Sequence, residues 1–203
     1  MSPVARRRLP PAERRGLILE AALETVAAKG FAAASLEAIA VQAGVSKALV
    51  SHYAAGRDEL MASTARAALA RLREEVARQV DLEAPVPDLL RSAVRAAARL
   101  ARSHERELAA LEQIVSALRD EHGRPVLGIE DFEETFVGQE RLLRRGQQEG
   151  SIAREADVRA LALTYQGAVE MMMSQVRARP GIDAEETADA IVDVLLTGMM
   201  PRP

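Results

Sequence analysis

SLEAIAVQAGVSKALVSHYAAGRDEL, residues Ser35 to Leu60, reads as two short helices joined by a tight turn. Leu36, Ile39, Ala40 and Ala43 fall at i, i+3, i+4 and i+7, which gathers them on one helical face. Ser35 precedes that face as an N-cap, and Gly44 follows it where a helix commonly ends in a left-handed backbone conformation. Ser46 is placed to start a second helix at once, over about Ser46 to Tyr53. Small Ala40 and Ala43 permit close approach of the two helices, with Val45 and Val50 filling the angle between them. Lys47, Ala48, Ser51 and His52 are then left free of the core. This is a short, polar surface suited to the major groove, so the stretch implies a helix-turn-helix with DNA as its partner.

The flanking sequence is helical. A first helix is expected from about Ala12 to Lys29, with Ile18, Ala22 and Val26 inward and Gly30 as its stop; Phe31 packs under the helix-turn-helix. A long helix is expected from Arg57 to Val80, carrying Leu60, Ala67, Leu69, Leu72, Val76 and Val80. Further helices are expected over about 88–103, 105–121, 130–149, 155–178 and 184–199, separated by Pro85 and Pro87, by Gly123, Pro125 and Gly128, and by Gly150. No segment resembles a strand bounded by turn residues. The expected fold is all-α with about nine helices. Residues 1–12 form a flexible basic arm, 13–60 the helix-turn-helix domain, and 61–203 a larger ligand-binding and dimerisation domain.

Composition limits the function classes. Of 203 residues, 48% are hydrophobic and 28% charged, which suits a globular protein with ample core material. The absence of cysteine excludes disulfides and thiolate metal sites. With no secretory signal pattern and no run approaching the ~20 apolar residues of a membrane span, a cytoplasmic location is expected. The chain has no glycine-rich phosphate loop, H-E-x-x-H or G-x-S-x-G, and His52, His104 and His122 lie in separate elements. No enzyme activity, metal or cofactor is expected.

The net charge of −3 is unevenly distributed. Residues 1–60 hold eight Lys/Arg against six Asp/Glu, and residues 61–203 hold nineteen against twenty-four. Arg6, Arg7 and Arg8 add to the positive end; such an arm either follows phosphates and the minor groove or remains a solvated tail. Lys47 can reach phosphate or a guanine edge, Ser51 and His52 phosphate or a base edge, and Tyr53 phosphate. Ser35, Ser46 and Arg57 sit at helix N-termini, which favour phosphate. For both serines, capping is the more direct reading and does not exclude a phosphate contact.

The last two helices are apolar around much of their circumference. In the final helix only Asp189 and Asp193 form a clear polar stripe, and one monomer's core needs a face of little more than about 100°. Val169, Met173, Val176, Ile191, Val194 and Leu195 are therefore expected in a four-helix homodimer interface. For a small-molecule pocket the candidates are Leu100, Leu111, Val115, Phe132, Phe136, Tyr165 and Met172 as walls and Glu112 as a polar anchor. All have an alternative reading as ordinary core or surface.

Over about Arg14 to Ala67 the chain resembles the tetracycline-repressor (TetR) family. The resemblance rests on Ile18 to Val26, Gly30-Phe31, Ile39-Ala40, Ala43-Gly44-Val45-Ser46, His52-Tyr53, Arg57, Glu59 and Leu60. It implies a three-helix DNA-binding domain, a helical ligand-binding and dimerisation domain, and repression from a roughly palindromic operator, relieved by a small molecule. Departures lie on the reading side: Ala48 where the family commonly has glycine, Ser51 where it favours a phosphate-contacting tyrosine, and Ala54 where phenylalanine is usual. Ala48 either touches a thymine methyl or simply favours helix. These departures keep an alternative open, a helical dimer of the same fold that has lost sequence-specific DNA binding and acts through a protein partner.

Overall fold

The computed structural model describes residues 10–201, apart from the side chain of Ile129, so the arm residues Arg6, Arg7 and Arg8 lie outside it. The described residues form nine α-helices and one short 3₁₀ turn, with no strand. Two compact units emerge, one comprising the chain up to Leu69 with Arg106–Leu127, the other Ala70–Glu105 with Gly128 onward.

In the first unit, α1 (Pro11–Lys29) opens with proline in its first turn, where the missing N–H costs nothing. It closes at Gly30, whose N–H donates to the Val26 carbonyl at 2.8 Å. Ile18, Ala22 and Val26 are fully buried, as their spacing predicts. Helices α2 (Leu36–Ala43) and α3 (Lys47–Tyr53) have the caps their sequence predicts. Ser35 Oγ accepts from the Ala38 N–H and Ser46 Oγ from the Leu49 N–H, each at 3.2 Å. Gly44 takes φ +64°, a conformation that strains any residue with a Cβ. Ile39, Ala40 and Val50 complete the small core with Leu60 and Met61.

Helix α4 spans Arg57–Ala77, its first part in this unit and residues 70–77 in the second. It differs from expectation in two ways. The buried face runs through Met61, Ala65, Ala68 and Leu72, while Ala67 is exposed. The helix also ends three residues early, because Gln79 and Val80 donate to Val76 and Ala77 in tight i→i+3 turns that leave Val80 outside it. Helix α6 (Glu105–Ala117) is likewise shorter than predicted. Asp120 accepts from the N–H groups of His122 and Arg124 and so folds 120–124 into a turn, with Gly123 at φ +75°.

The second unit is built around α5 (Val86–Ser103), which packs against α7 (Glu133–Glu149), α8 (Val158–Ala178) and α9 (Ala184–Met199). Nine α5 residues are buried, four of them alanines that let neighbours approach. Its polar stripe is Arg91, Arg95 and Arg99, and these meet Asp193, Asp189 and Glu185 in order along an antiparallel α9. The Arg95–Asp189 pair is bidentate, at 2.6 and 2.7 Å. The stripe of aspartates on α9 is thus the partner of α5. Asp157 and Asp183 cap α8 and α9, each accepting from two N–H groups of the first turn.

Burial also redistributes the expected interface positions. Val169 and Val176 are buried within the chain, and Met173, Ile191 and Leu195 are half-buried. Of the six only Val194 is freely exposed, at 75%. The open apolar line on α8 runs instead through Leu163, Gly167 and Met171, spaced i, i+4, i+8. The reason is a period: α8 turns Ala162, Tyr165, Val169, Met172 and Val176 inward, and their neighbours are left outside.

Two outcomes are expected. A Cβ on Gly146 of α7 would lie 2.5 Å from Ile152 Cγ1 and 3.1 Å from Val86 Cγ1. Gly146→Ala should therefore destabilise the protein by about 1–3 kcal/mol in urea unfolding, despite alanine's better helix propensity. Arg95 holds the Asp189 carboxyl below its ordinary value by hydrogen bonding first and charge second. A depressed folded-state value means stability that is present above the unfolded carboxylate range and lost as pH falls through the folded one. Asp189→Asn should flatten the acid limb of the stability–pH curve while lowering stability at neutral pH.

Candidate functional site

The first candidate surface is α3. Lys47, Ala48, Ser51 and His52 are exposed along one side, Tyr53 is half-buried, and Val50 points into the core. His52 and Tyr53 meet edge to face, ring centroids 5.5 Å apart, which restrains both. Ser35 and Ser46 serve as caps, and both remain exposed at helix N-termini. Ala54, buried in extended backbone, closes α3.

Two residues behave in ways the sequence did not suggest. Lys47 Nζ pairs with Glu37 of α2, and this hydrogen bond is the main reason the Glu37 carboxyl sits below its usual range. Arg57, expected at phosphate, is turned inward. Its guanidinium lies over the Phe31 ring, 4.2 Å from the centroid, and donates to the carbonyls of Phe31 and Ala34, the latter at 2.9 Å. The Phe31 N–H in turn donates to Gln113 Oε1 of α6 at 3.1 Å. Glu59 caps the start of α4 by accepting from the Ala55 N–H.

The second candidate is a cleft of about 410 Å³ wholly within the second unit. Its apolar wall is Leu89, Leu90 and Ala93 of α5 with Leu142 of α7. Its polar side is Arg73, Thr135, Gln139 and Tyr165, with Glu134 also in the lining. Gly138 widens it, since nothing stands within 4 Å of where its Cβ would be. Three buried polar atoms here lack any hydrogen-bond partner among the described residues: Arg73 Nη2, Thr135 Oγ and Gln139 Oε1. Burial pulls the Arg73 guanidinium down, with Glu134 and Glu170 opposing, and burial alone pushes the Tyr165 phenol up.

Of the pocket candidates read from the sequence, Tyr165 lines this cleft. Leu100, Phe136 and Met172 are buried elsewhere in the second unit. Phe132 lies under Arg73, 5.5 Å from its guanidinium, at the edge of the group. Leu111, Glu112 and Val115 belong to the first unit, with Glu112 exposed. Arg73, Thr135 and Gln139 were missed. A signal existed for two of them: Thr135 and Gln139 interrupt an otherwise apolar face with Phe132, Phe136, Leu142 and Leu143. Among the described residues no cluster of His, Asp or Glu could hold a metal ion, and no helix is long and apolar enough to cross a membrane.

A capped two-helix turn with a left-handed glycine and an exposed polar second helix defines a helix-turn-helix protein. Residues 18–64 match the family model described as bacterial regulatory proteins, tetR family. Over its helix-turn-helix region the chain is thus similar to the TetR family of transcriptional regulators. It is 44% identical over 71 residues to the HTH-type transcriptional regulator BetI 1 of Chromohalobacter salexigens, a match covering 35% of each chain. The aligned part thus spans about a third of that relative's length. The fold matches over nearly the whole chain. The structure of the fatty acid degradation regulator FadR from Bacillus halodurans aligns with a TM-score of 0.76 at 22% identity, covering 97% of this chain and 100% of that one. The TetR family regulator PfmR from Thermus thermophilus aligns at 0.66 with 26% identity, covering 89% and 97%.

The Lys47–Glu37 pair sets up substitutions of opposite sign. Lys47→Ala should weaken DNA binding and lower the magnitude of its log–log salt slope by about one. Glu37→Gln releases Lys47 and removes a negative charge beside it, so affinity should rise several-fold with the slope unchanged or steeper. Anisotropy titrations across a salt series read both. Equal affinities for all three proteins would remove this pair from the DNA-facing surface.

Proposed function

We propose that this protein is a homodimeric transcriptional repressor that binds a roughly palindromic operator and is released from it by a small molecule. The observation that carries the reading is the exposed Lys47, Ala48, Ser51 and His52 face on a helix capped by Ser46 directly after the left-handed Gly44 that ends α2. Lys47, His52 and Tyr53 are its principal contacts, Ser35 and Ser46 lie where backbone N–H groups favour phosphate, and Arg6, Arg7 and Arg8 extend the positive end. Arg57 acts by holding the loop under the motif, through Phe31 and Ala34. The protein works in the cytoplasm, as a regulator without catalytic activity of its own.

Dimerisation is supported by the uncovered apolar surfaces of α8 and α9, at Leu163, Met171 and Val194, with Gly167 and Gly198 beside them. Large exposed apolar groups of this kind mark interaction surfaces, and a two-fold copy is the simplest partner. Two reading helices would then address successive major grooves about 34–36 Å apart. Helix α4 is the mechanical link, because it is continuous from residues of the first unit to residues of the second. A ligand that favours one separation of the reading helices over another shifts the equilibrium by its differential affinity alone.

The deciding experiment is selection from a random duplex pool with the full-length protein. Enrichment of a two-fold symmetric site with steep salt dependence is expected. Failure to enrich any sequence would favour the protein-partner reading raised by Ser51 and Ala54. Val194→Glu places a charge on the open apolar surface, where the monomer's own packing is untouched. It should shift sedimentation from dimer to monomer and weaken operator binding by at least about tenfold, with helicity by circular dichroism unchanged.

A further inference from the structure

The cleft of the second unit is polar in an unusual way. Its three unpartnered groups are buried, so each forgoes water without gaining a protein partner among the described residues, a cost native interiors rarely bear. All three residues line one cavity. Arg73 Nη2 can only donate, and Thr135 Oγ can donate or accept. The role of Gln139 follows from its neighbours. Glu170 is an acceptor when ionised, so Gln166 Nε2 donates to it, at 2.8 Å. Gln166 Oε1 is therefore turned to accept from Gln139 Nε2, at 2.6 Å. This relay leaves Gln139 Oε1, an acceptor, as the unpartnered atom of a residue that lines the cleft.

We infer that the cleft binds a small amphipathic carboxylate bearing a hydroxyl or N–H near its head, with the carboxylate on Arg73 and Thr135, the donor on Gln139 and the apolar body against Leu89, Leu90 and Leu142. The inference rests on the proposed ligand-responsive role of the second unit. Charge selects the class. Arg73 is the cation among the lining residues, and Glu134 opposes it, so the site accommodates one negative charge and disfavours a dianion such as a phosphate monoester. Partial burial strengthens the charge-assisted bond to Arg73, and the arginine's own desolvation is relieved when an anion arrives. The apolar wall selects a hydrocarbon body, and a cavity of this volume suits a small ligand. A quaternary or primary ammonium is excluded by the same cation.

The test uses calorimetric titration of the full-length protein with octanoate, its β-hydroxylated analogue, octan-1-ol and octylammonium. Both carboxylates should bind, the hydroxylated one several-fold tighter, and the alcohol and amine should not compete. Arg73→Met should weaken the carboxylates by roughly ten- to a hundredfold, in line with loss of one charged hydrogen bond. Gln139→Leu should abolish the advantage of the hydroxyl. Gly138→Leu should fill the cleft and block every probe without altering charge, which guards against an Arg73 variant that fails to fold. Three results would overturn the inference: no carboxylate binding at millimolar concentration, equal binding by alcohol or amine, or full affinity in the Gly138→Leu protein. Operator affinity is measured alongside. Carboxylate binding that leaves it unchanged refutes release by this ligand and keeps the site, whereas normal operator binding without carboxylate binding overturns the site and leaves the DNA-binding reading standing.

Discussion

In the loop between α1 and α2 the Phe31 carbonyl accepts from the Ala34 N–H, and Arg57, from the first turn of α4, donates both to that carbonyl and to the carbonyl of Ala34. The same guanidinium lies on the Phe31 ring, so one side chain fixes the loop by hydrogen bonding and by cation–π contact together. A planar fork with several donors can do this, whereas a lysine ammonium could not cover both carbonyls and stack. The pose of α2 follows from that loop, and the pose of α3 follows from α2 through Gly44 and the caps at Ser35 and Ser46. Gln113 of α6 holds the same loop through the Phe31 N–H. A helix seven residues long is too short to position itself, and its geometry comes from these supports.

The second unit is organised by different physics. Helix α5 is buried on most of its circumference, and its arginines emerge along one stripe to meet the acids of α9. These pairs are half-exposed and contribute little energy each, but their order sets the antiparallel register of α9 against α5. Gly146 serves the same close packing from α7, where Ile152 and Val86 occupy the space of a side chain. A cleft lies between α5 and α7, and three of the unpartnered polar atoms belong to residues that line it.

Much of this was legible from local chemistry. The stops at Gly30, Gly44 and Gly150, the caps at Ser35 and Ser46, and the inward residues Ile18, Val26, Ile39 and Val50 all follow from rules spanning a few residues. The differences have two causes. Val80 and residues 118–121 have helical character, but turns made by Val76, Ala77 and Asp120 compete successfully for the backbone. Val169 and Val176 looked available to a partner because an apolar residue reads alike whether it faces its own core or another chain.

The sequence by itself determined the helix-turn-helix, the exposed polar residues of its second helix and the all-α class, since capping, helical period and glycine conformation act over one or two turns. Only the tertiary structure decided that Arg57 clamps a loop, that Lys47 is held by Glu37, that Asp189 and Asp193 face arginines, and that Arg73, Thr135 and Gln139 share a cleft. Each joins residues that lie on different elements, and Arg73 and Gln139 come from segments of the second unit that are far apart in sequence. Their proximity comes from packing directions that no local pattern encodes.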